Sequence, residues 1–312
     1  MMTSQTSSLK RKTLRKKRWT KEAILGFTFA LIPLLAYVFF NAFPLGISFV
    51  AMFTEMEGFK LNTMQWNSFE NFKYIFNQDR FWTSIWMTFW IGSSQIMSLL
   101  VALFIAAVLD KKAKGSRIFQ VLFYIPYICS SVSTALMWRW MVDPNCGLIN
   151  ELLGTNINYL VNVDNPDTIT WTVILMIVWQ APGYGIVIYK SAFDAVNPAL
   201  YEAADIDGAN ALQSFFYISL PAVRSMTFFL LEMGIITGLT TYDKVLLLVP
   251  PTYTLTAGLE DRGLTLMYYI DILGIRGEMK IHLASVVSWF LFVLTAFLFI
   301  FMKKVQKKVE GD

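Results

Sequence analysis

NPALYEAADIDGANALQSFFYISLP, residues 197–221, fixes how the rest of the chain is read. It lies between two long apolar runs, which makes it a folded connection on one side of a membrane. Asn197 can cap the first free N–H groups of a helix, and Pro198 suits the first helical position. Glu202 falls in the early turns, where the helix dipole favours a carboxylate. Gly208 predicts the stop, because glycine enters the left-handed conformation without a Cβ penalty. A second short helix then runs from Ala211 to about Ser219, and Pro221 opens the next span. Ala203, Ala204 and Gly208 put small residues at the bend, while Phe215, Phe216, Ile218 and Leu220 give the second helix a greasy surface. Two short helices at an angle make a shape that plugs into a groove on a partner.

Outward from this elbow, the composition is that of an integral membrane protein. The 312 residues are 55% hydrophobic and 15% charged, with mean hydropathy +0.50. A soluble domain carries about 25% charged residues. A helical span needs about 20 residues at about 1.5 Å each, and the apolar runs predict six: 23–50, 81–109, 118–141, 170–189, 223–249 and 281–302. Pro33 and Pro44 fall inside the first, where a membrane helix tolerates them. Ten Trp within 16% aromatic residues agree with interfacial belts. Residues 51–80, 142–169 and 250–280 are expected outside, with an interfacial helix in the first of these.

The basic residues set the orientation. Eight lie between Lys10 and Lys21; Lys111, Lys112, Lys114 and Arg117 follow span 2; Lys190 and Arg224 flank the elbow; Lys303, Lys304, Lys307 and Lys308 close the chain. With both termini in the cytoplasm, 18 of the 26 basic residues lie inside, and the elbow lies there too. The expected plan is a basic tail (1–22), a six-helix domain (23–302) containing the elbow, and a second tail (303–312). The basic N-terminus abuts a span, so it is a membrane flank rather than a nucleic-acid patch; no small-residue cleavage site follows, so the first span is expected to be retained. Cys129 and Cys146 read as free thiols, His282 as an interfacial residue, and no metal-ligand spacing appears.

Glu202-Ala203-Ala204, three residues, Gly208, nine residues, then Ile218-Ser219-Leu220-Pro221 resembles the EAA loop of binding-protein-dependent ABC import permeases. Asp207-Gly208-Ala209 matches the sugar-permease form of that loop. Phe123-Tyr124-Ile125-Pro126, Trp138, Trp140, Gly147-Leu148-Ile149-Asn150 with Leu153, and Trp179-Gln180 are similar to the oligosaccharide and glycerol-phosphate branch. The resemblance covers about residues 25–302. It implies an all-α integral membrane protein of the type I importer fold, in a bacterial cytoplasmic membrane. It also implies a second permease subunit, two ABC ATPase subunits, an extracytoplasmic solute-binding protein and a sugar-like solute. ATP and Mg belong to the ATPase; this chain is expected to bind no cofactor and to catalyse nothing, and no GxxxxGK[ST] phosphate loop occurs in it. Leu200, Glu202, Ala203, Ala204, Asp207, Gly208, Phe215 and Phe216 become the expected ATPase-coupling residues. One departure stands out: where relatives carry Gly-Gly-Pro after an Asp, Asp243 is followed by Val249-Pro250-Pro251-Thr252-Tyr253 and a longer stretch to Arg262.

A polar solute needs a polar lining, and ionisable residues inside spans usually face a cavity or a partner. Glu232 in span 5 is a candidate for the solute path or for a structural pair. Tyr242 and Asp243, near the outer end of that span, are candidates for the path, with Asp243–Lys244 as an interfacial pair the alternative. In span 4, Gln180 offers an amide to a hydroxyl, and Trp179 or Tyr184 a face to a sugar ring; close packing through Gly183 and Gly185 is the alternative. Gly234 and Gly238 form a small-xxx-small pair suited to helix packing, including packing on a partner permease. The main rival is an ion-coupled secondary transporter working without an ATPase, which calls for broken helices in two repeated halves; no internal repeat is evident. An intramembrane enzyme would need a catalytic cluster such as HExxH, and none occurs.

Overall fold

The structure, a computed structural model, describes residues 20–56, 58–109, 115–277 and 279–311. The basic cluster from Lys10 to Arg18, and Lys111, Lys112 and Lys114, lie outside the described residues. The chain divides into two units, Met1–Ser48 and Phe49–Asp312. The first carries most of α1, a helix that starts at Lys21, passes through one wide turn (Val38–Ala42) and continues as Phe43–Ala51.

In the second unit a two-stranded antiparallel hairpin, β1 (Thr54–Glu55) and β2 (Gln65–Trp66), precedes α2 (Glu70–Phe76). The long α3 (Asp79–Val108) follows, then α4 (Ser116–Ile128), α5 (Ser131–Met141) and α6 (Leu148–Leu153). Next come α7 (Thr168–Asp194), α8 (Pro198–Ile206), α9 (Ala211–Ala222), α10 (Arg224–Leu239) and α11 (Asp243–Leu248). The last two are α12, which runs from Leu266–Asp271 on through the wide turn Ile272–Arg276, and α13 (Ile281–Glu310). Four helices are long and apolar enough to cross a membrane: Leu25–Ala51 within α1, α3, α7 and α13. Two bent pairs, α4 with α5 and α9 with α10, raise the number to as many as six.

The mast of the second unit is α3. Its buried positions Phe81, Ser84, Thr88, Ile91, Ser98, Ala102 and Ala106 recur at helical spacing, and α7 and α10 pack along them. The serines and threonines among them are satisfied within the helix: Thr88 Oγ1 donates to Ser84 O (2.6 Å) and Ser98 Oγ to Ser94 O (2.7 Å). At the α3–α10 crossing, a Cβ added to Gly238 would fall 2.8 Å from the Gly92 carbonyl oxygen. Gly238 therefore serves contact inside this chain, backbone against backbone, and Gly234 beside it faces Leu99.

Four expectations change. Span 3 is two helices bent by 95°, because Ser130 takes up extended backbone and accepts from Ser133 N (3.2 Å), starting a new helix. Span 5 breaks at Thr240–Tyr242, so residues 243–248 form a separate helix rather than its last turns. The stretch 250–280 is more than an external loop: Leu264, Leu266, Tyr268, Tyr269, Ile272 and Leu273 are buried in the main core, because α12 packs on α3 and α13. The final helix also runs on to Glu310, beyond the expected 302.

Candidate functional site

The elbow is built almost wholly from local chemistry. Asn197 Oδ1 accepts from Ala199 N (3.1 Å) and Pro198 opens α8. At the far end Gly208 has φ +76°. Gly208 N donates to Asp205 O (3.2 Å) and Ala209 N to Ala204 O (2.9 Å), the paired bonds of a Schellman stop. Two residues later a capping box starts α9: Gln213 N donates to Asn210 Oδ1 (2.9 Å), and Asn210 N donates to Gln213 Oε1 (2.8 Å). Across the bend, Tyr201 Oη and Ser219 Oγ meet at 2.8 Å and clasp the two helices. α9 then meets α10 at 68°.

The elbow has an inner and an outer side. Inward, Phe215 meets Phe193 of α7 edge to face, 6.5 Å between centroids. There a cavity of about 460 Å³ is lined by Ala106, Lys190, Asp194, Tyr201, Glu202 and Phe215 among others. Lys190, nearly buried, is held by Asp194 at 2.6 Å. Outward, Leu200 and Phe216 are exposed as expected, and so are Ile206 (86%), Leu212 (69%) and Tyr217 (81%). Sequence reasoning passed over these last three, and it grouped Phe215 with the outer surface although the ring turns inward. Their signal lay in position: Ile206 precedes the stop and Leu212 follows the next cap, so both sit at the tip. Glu202, Ala203, Asp207 and Gly208 are exposed, and Ala204 is half-buried under the bend.

The candidate path residues fall with different partners. Gln180 is buried, and its Nε2 donates to Cys129 O (3.2 Å) and Thr134 Oγ1 (3.0 Å). It therefore ties α7 to the α4–α5 break instead of offering its N–H groups to a solute, because those freed backbone groups need a partner. Trp179 is exposed and meets Trp138 edge to face at 6.3 Å; Tyr184 stacks on Tyr127 at 5.7 Å. Glu232 is buried on α10, with Lys303 Nζ 2.9 Å from Oε1, an ion pair by distance without hydrogen-bond alignment. Arg224 Nη1 donates to Val309 O (3.0 Å), so α10 and α13 are stapled twice toward the chain's C-terminal end.

Tyr242 and Asp243 sit at the α10–α11 break. Tyr242 lies 5.7 Å from the Tyr268 ring, Arg276 Nη2 reaches its hydroxyl at 3.5 Å, and Arg276 Nε donates to Asp271 Oδ2 at 2.5 Å. Asp271 and Arg276 were missed in the sequence because they lie in the stretch taken for a loop. Among the described residues no group of three His, Cys, Asp or Glu is placed to hold a metal ion.

Comparison with known proteins fits this geometry. The probable ABC transporter permease protein YesP of Bacillus subtilis (strain 168) is 31% identical over 297 residues, 91% of each chain. The sn-glycerol-3-phosphate transport system permease protein UgpA of Pectobacterium atrosepticum is 29% identical over 217 residues, 68% of this chain and 72% of that one. In fold, the chain is similar to the crystal structure of a bacterial ABC transporter involved in import of the acidic polysaccharide alginate. There the TM-score is 0.78 and the identity 22%, covering 93% of this chain and 98% of that one. Residues 98–311, which include the whole elbow, match the model of the family described as binding-protein-dependent transport system inner membrane component, and the chain belongs to that family.

Proposed function

We propose that this chain is a transmembrane subunit of an ATP-driven importer in a bacterial inner membrane, carrying a sugar or oligosaccharide delivered by an extracytoplasmic binding protein. The supporting observation is the elbow: two helices with independent caps, clasped by Tyr201 and Ser219, that project Leu200, Ile206, Leu212, Phe216 and Tyr217 outward. An exposed apolar tip of that kind calls for a partner surface. In this function the partner is an ABC ATPase, which binds ATP and Mg; this chain needs no cofactor and does no chemistry of its own. A second permease subunit completes the passage. The names of similar proteins carry polar, anionic cargo: UgpA sn-glycerol-3-phosphate, a phosphorylated polyol, and the neighbour in fold the acidic polysaccharide alginate.

When the ATPase pair closes on ATP, α8 and α9 are carried with it. The Phe215–Phe193 contact and the α9–α10 bend pass that movement to α7 and α10, which pack on α3. Glu202 is suited to meet a basic residue on the ATPase. An exposed pair contributes only about 0–1 kcal/mol, so the apolar tip supplies most of the grip. Cysteines placed at Leu212 or Tyr217 should cross-link to the ATPase in the assembled transporter, and uptake should require ATP. Uptake driven by an ion gradient after removal of the ATPase would favour a secondary transporter instead.

A further inference from the structure

The second half of α13 leaves one face uncovered. Val293, Phe297, Ile300 and Phe301 are each more than half exposed. Their spacing of three and four residues keeps them within an arc of about 100°. The same arc continues into Lys304 and Lys308, both exposed. The helix is unbroken there and runs on to Glu310, so the two lysines stand in line with the apolar stripe instead of trailing from a loose tail.

Lys303 marks the level of the membrane surface. It lies 22 residues beyond Ile281, about 33 Å along the axis at 1.5 Å per residue, against a hydrocarbon core of about 30 Å. Lys303 itself turns off the stripe toward α10, where its Nζ is 2.9 Å from the buried Glu232. Arg224 Nη1 donates to Val309 O and holds the last turn to the start of α10. These two contacts fix the depth and the rotation of the helix end. Lys304 and Lys308 then stand about 100–140° round the helix from Lys303, away from α10 and at the level of the headgroups.

We propose that this face of α13 seats one anionic phospholipid of the cytoplasmic leaflet, with an acyl chain along Val293, Phe297 and Ile300 and the phosphate on Lys304 and Lys308. The leaflet follows from the cytoplasmic C-terminus that the basic residues call for. Side chains four apart on a helix are neighbours, and each ammonium offers three donors and no acceptor, so the pair converges on one phosphate. Sign supplies the selectivity: a zwitterionic headgroup brings its own cation against two lysines, whereas phosphatidylglycerol brings negative charge alone. A lysine near an anionic surface favours it by about fivefold. Basic flanks in general set orientation; this one adds a continuous apolar track leading to two aligned ammonium groups. Because α10 begins directly after the elbow, the lipid anchors the bundle at the end where the elbow acts.

The experiment uses the complete transporter, with Cys129→Ser, Cys146→Ser and any partner cysteines replaced, in vesicles that mix brominated phosphatidylglycerol with phosphatidylcholine. Phe301→Cys carrying a bimane fluorophore is the reporter, one turn before Lys304 on the same face. Quenching as the brominated fraction rises gives the binding ratio of the two lipids at this face. The parent ratio should be about twenty- to thirtyfold. Lys304→Gln or Lys308→Gln should each lower it about fivefold, and both together should bring it near one. Lys303→Gln, which removes the contact to Glu232 instead, should leave it within about twofold. A parent ratio near one overturns the seat, and so does a ratio that the double variant leaves unchanged. Loss of the ATPase from the double variant with the ratio intact would give the lysines to a protein partner and overturn it as well.

Discussion

At Gly208 a single backbone angle carries the bend. The φ of +76° is the left-handed region, and no atom lies within 4 Å of where a Cβ would stand. A side chain there meets strain, not a clash. For an L-residue that strain is about 1–2 kcal/mol, and it is worst for a β-branched one. Gly208→Val should therefore leave the subunit assembled with its ATPase while more ATP is hydrolysed per solute imported; Gly208→Asn, which tolerates this angle, should do so much less. The check is the ratio of hydrolysis to uptake in proteoliposomes, and equal ratios for both variants would contradict it. Glu232 makes the complementary case. Its buried carboxylate faces Lys303, whose side chain is half exposed. Glu232→Gln should destabilise the subunit by about 1–2 kcal/mol, less than the 3–5 of a fully buried pair. Glu232→Gln with Lys303→Met should recover most of that, read as the thermal midpoint in detergent. Uptake falling without any loss of stability would return Glu232 to the solute path.

The elements differ in how far their own sequence specifies them. The elbow was legible because each of its stops and starts is local: Asn197, Gly208 and the Asn210–Gln213 box act within five residues. The apolar runs gave the membrane character, since a 20-residue run has few other uses. The breaks were not legible. Within span 3, α4 ends at Ile128 because Ser130 caps a new helix and Gln180, about fifty residues later, satisfies the freed carbonyl of Cys129. α12 is held from afar, its first N–H by Thr88 and its entry by Thr241. Those partners lie 178 and 24 residues away, beyond the reach of periodicity. The connection before α12 shows the same dependence. Ala257, Gly258, Glu260 and Asp261 all have positive φ, and Arg80 grips them with a two-pronged bond to Asp261 (2.8 Å each) and one to Leu255 O (2.7 Å). Arg80→Ala should free residues 255–262 to open, raising amide exchange there by about tenfold or more, as loss of charge-assisted bonds implies. Exchange unchanged in that window would mean that core packing alone holds the segment.

For the whole molecule, the weight of the functional account falls on which side each end of the bundle faces. Elbow and ATPase must share the cytoplasm, and the solute must enter from the other side. The basic residues argue for this, but several of them lie in the N-terminal tail and the loop after α3, outside the described structure. A native thiol offers an independent probe. Cys146 is exposed in the loop between α5 and α6, on the face expected to be outside. An impermeant maleimide should label it in intact spheroplasts, whereas Ile206→Cys at the elbow tip should react only after permeabilisation. Both reacting from one side would rule out the six-span arrangement. Rate carries a further signature. Asp143 Oδ1 accepts from Cys146 Sγ at 3.4 Å. That hydrogen bond to the carboxylate, with smaller contributions from burial and the negative charge, raises the thiol's pKa above its ordinary value. The thiolate is the reactive form, so labelling should be slow at neutral pH and accelerate as pH rises. Asp143→Asn replaces the carboxylate that accepts the thiol's hydrogen bond with a weaker, uncharged acceptor, and should speed labelling at neutral pH while the rise with pH persists. A rate that Asp143→Asn leaves unchanged would show that the loop has another conformation in the membrane, one without the Asp143–Cys146 bond.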